Sequence, residues 1–151
     1  MNTKNMLALK GAGGTGKTET LKLLIKRFEA SDNFECKPQS GEADPVVVFV
    51  MKNIKVGIST GGDQDLTINR RVSKLIKLGC DIIISATRTE GKTVEAINKL
   101  AKEYHYSLEW IDKSRADKKN KAEQLKAEQL EKNQLDADNL FNRITEIINN
   151  H

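Results

Sequence analysis

Histidine, cysteine and long apolar runs are scarce in this chain of 151 residues, and each scarcity excludes something. The longest apolar run, Val46 to Met51, falls far short of the ~20 residues that a membrane-spanning helix needs. Residues 1–10 also lack the apolar stretch of a secretory signal, so a cytoplasmic location with no membrane partner is expected. The only cysteines are Cys36 and Cys80, which without such a signal read as free thiols of a reducing compartment. The only histidines, His105 and His151, have no second ligand at metal spacing, so no structural metal is implied. Charge of one sign is scarce as well: 25 Lys and Arg stand against 21 Asp and Glu, a net +4. Residues 1–111 hold 17 basic and 13 acidic side chains, and residues 112–151 hold 8 of each. The excess sits where an anionic ligand would be welcome. It is too small to argue for nucleic acid by itself, and does not exclude it.

What the chain does have is "GAGGTGKT", Gly11 to Thr18, spaced G-x-x-x-x-G-K-T, the Walker A pattern. In that pattern the backbone N–H groups of a glycine-rich loop surround phosphate oxygens, and the lysine reaches the outer phosphates. The pattern carries weight only between a strand and a helix. "NMLALK" (5–10) is a short apolar run ending at Gly11, and reads as a buried strand. Beyond Lys17, the residues Leu21, Leu24, Ile25 and Phe28 fall at i, i+3, i+4 and i+7, one face of a helix. The competing reading is an ordinary glycine-rich turn.

Residues 30–45 are rich in turn formers and read as a long loop. Two β-rich runs follow, 46–51 and 54–60, parted by Lys52 and Asn53 as in a hairpin. A helical stripe over Ile68, Val72, Leu75 and Ile76 comes next, then a buried run at 80–86. Val94, Ile97, Leu100, Ala101 and Tyr104 mark another helix, and 106–111 alternates like a strand near an edge. Such alternation predicts an α/β sheet covered on both faces. Ligands of these sheets bind beyond the C-terminal strand ends, where Gly11, Gly61, Asp63, Thr87 and Arg88 all fall.

On this motif in this context, the chain resembles a P-loop NTPase of the kinase–GTPase type over residues 5–111. The resemblance implies a three-layer fold around a mostly parallel five-stranded sheet with one antiparallel edge strand, followed by a C-terminal helix. It also implies that strand 54–60 lies beside strand 5–10, with 46–51 antiparallel at one edge and 81–86 then 106–111 on the other side. Gly11, Ala12, Gly13, Gly14, Thr15, Gly16, Lys17 and Thr18 would bind the nucleoside triphosphate. Lys17 would bridge its β- and γ-phosphates, and the Thr18 hydroxyl would ligate Mg2+. Chromosome-partitioning ATPases of this superfamily carry a second lysine near the loop start, where Ala12 and Gly13 stand here. GTP-binding switch proteins carry D-x-x-G and N-K-x-D; the matching stretches are "STGG", with Ser59 in place of the aspartate, and "SATR". ATP is therefore favoured over GTP.

Neither the run 54–60 nor the run 80–86 ends in a carboxylate that would hold the metal. Asp63, after "STGG", is the best substitute, as a metal ligand or as a group acting on the attacking oxygen. Its competing reading is a cap on the next helix. Arg88, leaving a buried strand, either stabilises a transferring phosphoryl group, binds an anionic acceptor, or is a surface arginine with Thr89 or Thr93 capping the next helix. Arg70 and Arg71 read as a solvated helix face, and Trp110 reads as packing.

Residues 112–151 form a charged helical extension to the 1–111 core. Leu125, Leu130 and Leu135 recur every five residues, which carries them round the helix axis and makes no seam. Leu140, Phe141, Ile144, Ile147 and Ile148 do make one stripe, which should cover either the sheet domain or a protein partner. Two function classes follow: an ATPase or small kinase-like phosphotransferase, and a nucleotide-gated binding module acting through loop 30–45 and the C-terminal helix.

Overall fold

The computed structural model describes residues 3–12, 15–38, 46–60, 65–115 and 122–151. Six strands form one sheet: β1 (Asn5–Lys10), β2 (Glu35–Pro38), β3 (Val46–Met51), β4 (Ile54–Ser59), β5 (Ile82–Thr87) and β6 (Ser107–Asp112). Their lateral order is β2-β3-β4-β5-β1-β6. Strands β4, β5, β1 and β6 are parallel neighbours, while β3 is antiparallel to both β2 and β4. Four helices complete the described chain: α1 (Lys17–Glu29), α2 (Asp65–Lys77), α3 (Lys92–Glu103) and α4 (Ala122–Asn149).

The period-two alternation of buried strands sends alternate side chains into two separate cores. Leu7 and Leu9 of β1, Ile58 of β4 and Ile84 of β5 meet Leu21, Leu24 and Phe28 of α1 and Leu140 and Ile144 of α4. Met6 and Ala8 of β1 and Ile83 of β5 meet Ile68, Val72 and Leu75 of α2 and Ile97 and Leu100 of α3. Thus α1 and α4 cover one face and α2 and α3 the other. Phe28 anchors the first core, its ring stacked on Phe49 at 5.0 Å and tilted against Phe141 at 4.9 Å. In the second, the Tyr106 hydroxyl donates to the Cys80 carbonyl at 2.6 Å, and burial pushes both the phenol and the Cys80 thiol up to about 12.

Three sequence expectations need correction. The sheet has six strands, not five, because Glu35–Pro38 forms an edge strand inside what reads as a loop. Glu35, Cys36 and Lys37 are exposed, so this strand is held by its backbone ladder and buries no pattern to be read. The antiparallel strand β3 is consequently second from the edge. The third correction is the order itself. β5 lies between β1 and β4, so 54–59 is not beside 5–10 as the kinase–GTPase resemblance implies. The apolar stripe of α4 lies within this chain's own core, against α1 and the sheet.

This order has a consequence for where a ligand sits. The chain leaves β1 for α1 on one face and leaves the adjacent β5 for α3 on the other. Connections diverging to opposite faces from neighbouring parallel strands define a topological switch point, with a crevice at the C-terminal strand ends.

Candidate functional site

The switch point brings Gly11, at the end of β1, against Thr87, at the end of β5. The Gly11 N–H donates to the Thr87 carbonyl at 3.1 Å. Lys17, the first residue of α1, is buried, and its ammonium donates to the Gly11 carbonyl at 2.6 Å and to the Thr87 carbonyl at 2.8 Å. A buried ammonium without partners costs several kcal/mol, so these bonds hold the cation in place on the crevice. The Thr15 hydroxyl donates to the Ala12 carbonyl at 2.7 Å and closes the turn. Gly16 is the N-cap residue of α1 with φ 88°, and no side chain caps the helix there. Gly16 thus offers no side-chain acceptor to the N–H groups of the first turn. Thr18, half-buried, follows Lys17 on that turn. Gly13, Gly14, Gly61 and Asp63 lie outside the described residues.

Arg88 is exposed, and its backbone N–H donates to Thr93 Oγ1 at 3.1 Å, which folds the β5–α3 turn tightly. Thr93 thus bonds within the turn rather than capping α3: the N-cap residue is Gly91, again with no side-chain cap. Buried along the same strands are the hydroxyls of Ser59, Ser85 and Thr87, none of which has a hydrogen-bond partner among the described residues. Compared with protein-family models, curated proteins and solved structures, the chain matches none.

Several residues join this region that sequence reading passed over. Arg71 of α2 is half-buried and its Nη1 donates to the Thr60 carbonyl just past β4, so it is not a purely solvated arginine. Lys113, following β6, places its Cβ where a Cβ on Gly11 would come within 3.0 Å of it. Its ammonium pairs with Asp136 of α4 at 2.8 Å, with the side chains 0% and 7% exposed. The other Asp136 oxygen accepts from Ser114 Oγ at 2.7 Å. Earlier on α4, Gln129 Nε2 donates to the Thr15 carbonyl at 2.7 Å and Asn133 Oδ1 accepts from Thr20 Oγ1 at 3.3 Å. Helix α4 is thereby tied both to the glycine loop and to the end of β6. Residues 129, 133, 136, 137, 140 and 144 share one helix face, of which only the apolar end carries a hydrophobic stripe. Among the described residues, no group of three or more His, Cys, Asp or Glu could hold a metal ion, and no helix is long and apolar enough to cross a membrane.

Proposed function

We propose that this protein binds ATP through Gly11–Thr18 and, with Mg2+, moves the γ-phosphoryl group to water or to an acceptor. The observation that carries this reading is Lys17, whose buried ammonium is held by two carbonyls at a sheet switch point, one residue from the N-cap of α1. Weak carbonyl partners are readily exchanged for phosphate oxygens, which attract an ammonium more strongly. The uncapped first turn of α1 offers N–H groups to the same anion. For the metal, the Thr18 hydroxyl is correctly placed in sequence after Lys17. β4 ends in Ser59 rather than a carboxylate, so Asp63 remains the proposed second ligand. Bound there, Mg2+ would neutralise charge between the outer phosphates. Arg88 would stabilise the transferring group or meet the acceptor. The strand order lends no support to the kinase–GTPase branch, so the reading is of a P-loop protein in the broader sense.

Thermal unfolding tests the reading. Mg·ATP at about 100 times its Kd should stabilise the fold by ~2.7 kcal/mol. For a chain of this size that raises Tm by ~5–10 °C. Lys17→Ala should lose most of the rise; an undiminished rise in that variant would overturn the role of the loop.

A second reading, a nucleotide-gated module, is favoured by one observation: Gln129 and Asn133 tie α4 to the loop's end and to α1. A ligand reshaping Thr15 and Gly16 must disturb those bonds. Residues 39–45 of the other segment named for this role, loop 30–45, lie outside the described residues. Nucleotide-dependent hydrogen exchange in α4 with no turnover on any acceptor would select this reading over the enzyme.

A further inference from the structure

The β5–α3 turn mirrors the glycine loop across the crevice. Each turn leaves one of two adjacent parallel strands, and each leads into a helix whose N-cap glycine, Gly16 or Gly91, has no side-chain cap. α1 and α3 lie on opposite faces, so their N-termini flank the crevice from its two sides. Parallel strands are ~4.8 Å apart, so the two turns open side by side. A helix N-terminus alone is common, but this one has buried company. Ser85 and Thr87 lie on the face of β5 that α3 covers, fully buried and without hydrogen-bond partners among the described residues. Ile58 pairs with Ile84, so Ser59 of β4 falls beside Ser85, and its hydroxyl too has no partner. Unsatisfied buried hydroxyls are rare because each forfeits its hydration, and a cluster of them at strand ends points to a polar occupant. Arg88 and Lys92 supply positive charge on the turn itself; Glu90 and Glu95 are its carboxylates, both exposed.

We propose that Thr87, Arg88 and the first turn of α3, backed by the Ser59 and Ser85 hydroxyls, form a second oxyanion seat that takes the phosphate of a phosphomonoester acceptor. The seat itself stands on these donors. Its role as an acceptor site rests on the reading that Gly11–Thr18 holds ATP. In the transfer, an acceptor phosphate oxygen attacks the γ-phosphorus. One O–P bond forms there, the bond from the γ-phosphorus to the bridging oxygen breaks, and its electron pair leaves with ADP. No proton has to move, because the nucleophile is already an oxyanion. Lys17, bonded to the Thr87 carbonyl, stands between the two seats and serves charge on either side.

The test is calorimetric titration of inorganic phosphate into the full chain saturated with Mg2+ and the β,γ-imido analogue of ATP, which fills the loop through its γ position. Potassium acetate at equal ionic strength is the control. One equivalent of phosphate should bind saturably, with no acetate heat. Thr87→Val and Arg88→Gln should each weaken phosphate binding at least fivefold while changing analogue affinity less than twofold. Thr87→Val removes a hydroxyl that has no partner, so the fold should tolerate it. Absence of saturable binding, or binding indifferent to both substitutions, overturns the seat. If the analogue itself fails to bind, phosphate is titrated into the unliganded protein and into Lys17→Ala. Binding that survives Lys17→Ala and is lost in Thr87→Val upholds the seat while removing the loop reading; binding lost only in Lys17→Ala removes the seat.

Discussion

At Gly16 the backbone has φ 88°, and a Cβ built there would lie 2.4 Å from Asn133 Oδ1 and 2.8 Å from Gln129 Nε2. Two costs therefore meet at one residue, left-handed strain and a clash with α4. Gly16→Ala should destabilise the fold by about 2–4 kcal/mol in urea unfolding. Adding Asn133→Ala should return part of that loss, the part due to the clash, and full additivity would show that α4 does not press on the loop. The Lys113–Asp136 pair behaves differently. Removing one partner strands a buried charge, so Asp136→Ala should cost about 3–5 kcal/mol. Replacing both, as in Lys113→Met with Asp136→Leu, should restore most of the stability, because a desolvated ion pair barely exceeds an apolar pair of similar volume. Denaturant midpoints at constant m-value measure both. None of this was legible from residue type: a lysine and an aspartate 23 positions apart in a charged tail read as solvent-exposed, and only the meeting of α4 with the segment after β6 buries them.

Among the elements, α4 separates what periodicity reveals from what it hides. The stripe Leu140, Phe141, Ile144, Ile147 and Ile148 was legible because five apolar residues at helical spacing have one physical use. Its continuation through Asn133 and Asp136 was not, because polar residues on a buried face look like polar residues on an exposed one. Leu130 and Leu135, by contrast, are 62% and 50% exposed, and the five-residue repeat makes no buried seam. Leu140→Ala should thus cost about 2–5 kcal/mol, and Leu130→Ser should stay within about 0.5 kcal/mol of the parent. A large loss at Leu130 would mean that the leucine repeat is buried after all, against a second chain. The edge strand β2 shows the opposite limit. A strand whose Glu35, Cys36 and Lys37 side chains are exposed leaves no apolar signature, and its turn-forming neighbours read as loop.

Across the whole molecule, the strand set from the glycine loop onward was nearly complete in the sequence, but its lateral order was not. A crossover of one helix can step to the neighbouring strand or over it, and both steps satisfy the right-handed rule. Here β4 to β5 steps to the neighbour and β5 to β6 passes over β1. Hydrophobic pattern cannot distinguish them, because all three central strands are buried on both faces. The same topology governs how the site comes into being. Its defining bonds span 70 residues from Lys17 to Thr87, 113 from Thr20 to Asn133 and 114 from Gln129 to Thr15. Contacts that close loops of this length come late on the folding route, after shorter pairings such as the β3–β4 hairpin have offset some chain entropy. Nothing in the transition state would then recognise the ligand. Mg·ATP should leave the refolding rate constant unchanged and place its entire stabilisation in slower unfolding, about 100-fold at a ligand excess of 100 over Kd. Stopped-flow refolding and unfolding arms separate the two effects. A refolding arm accelerated by Mg·ATP would mean that residues 11–18 and 87 meet early, and that the crevice guides the chain to its fold instead of arriving with it.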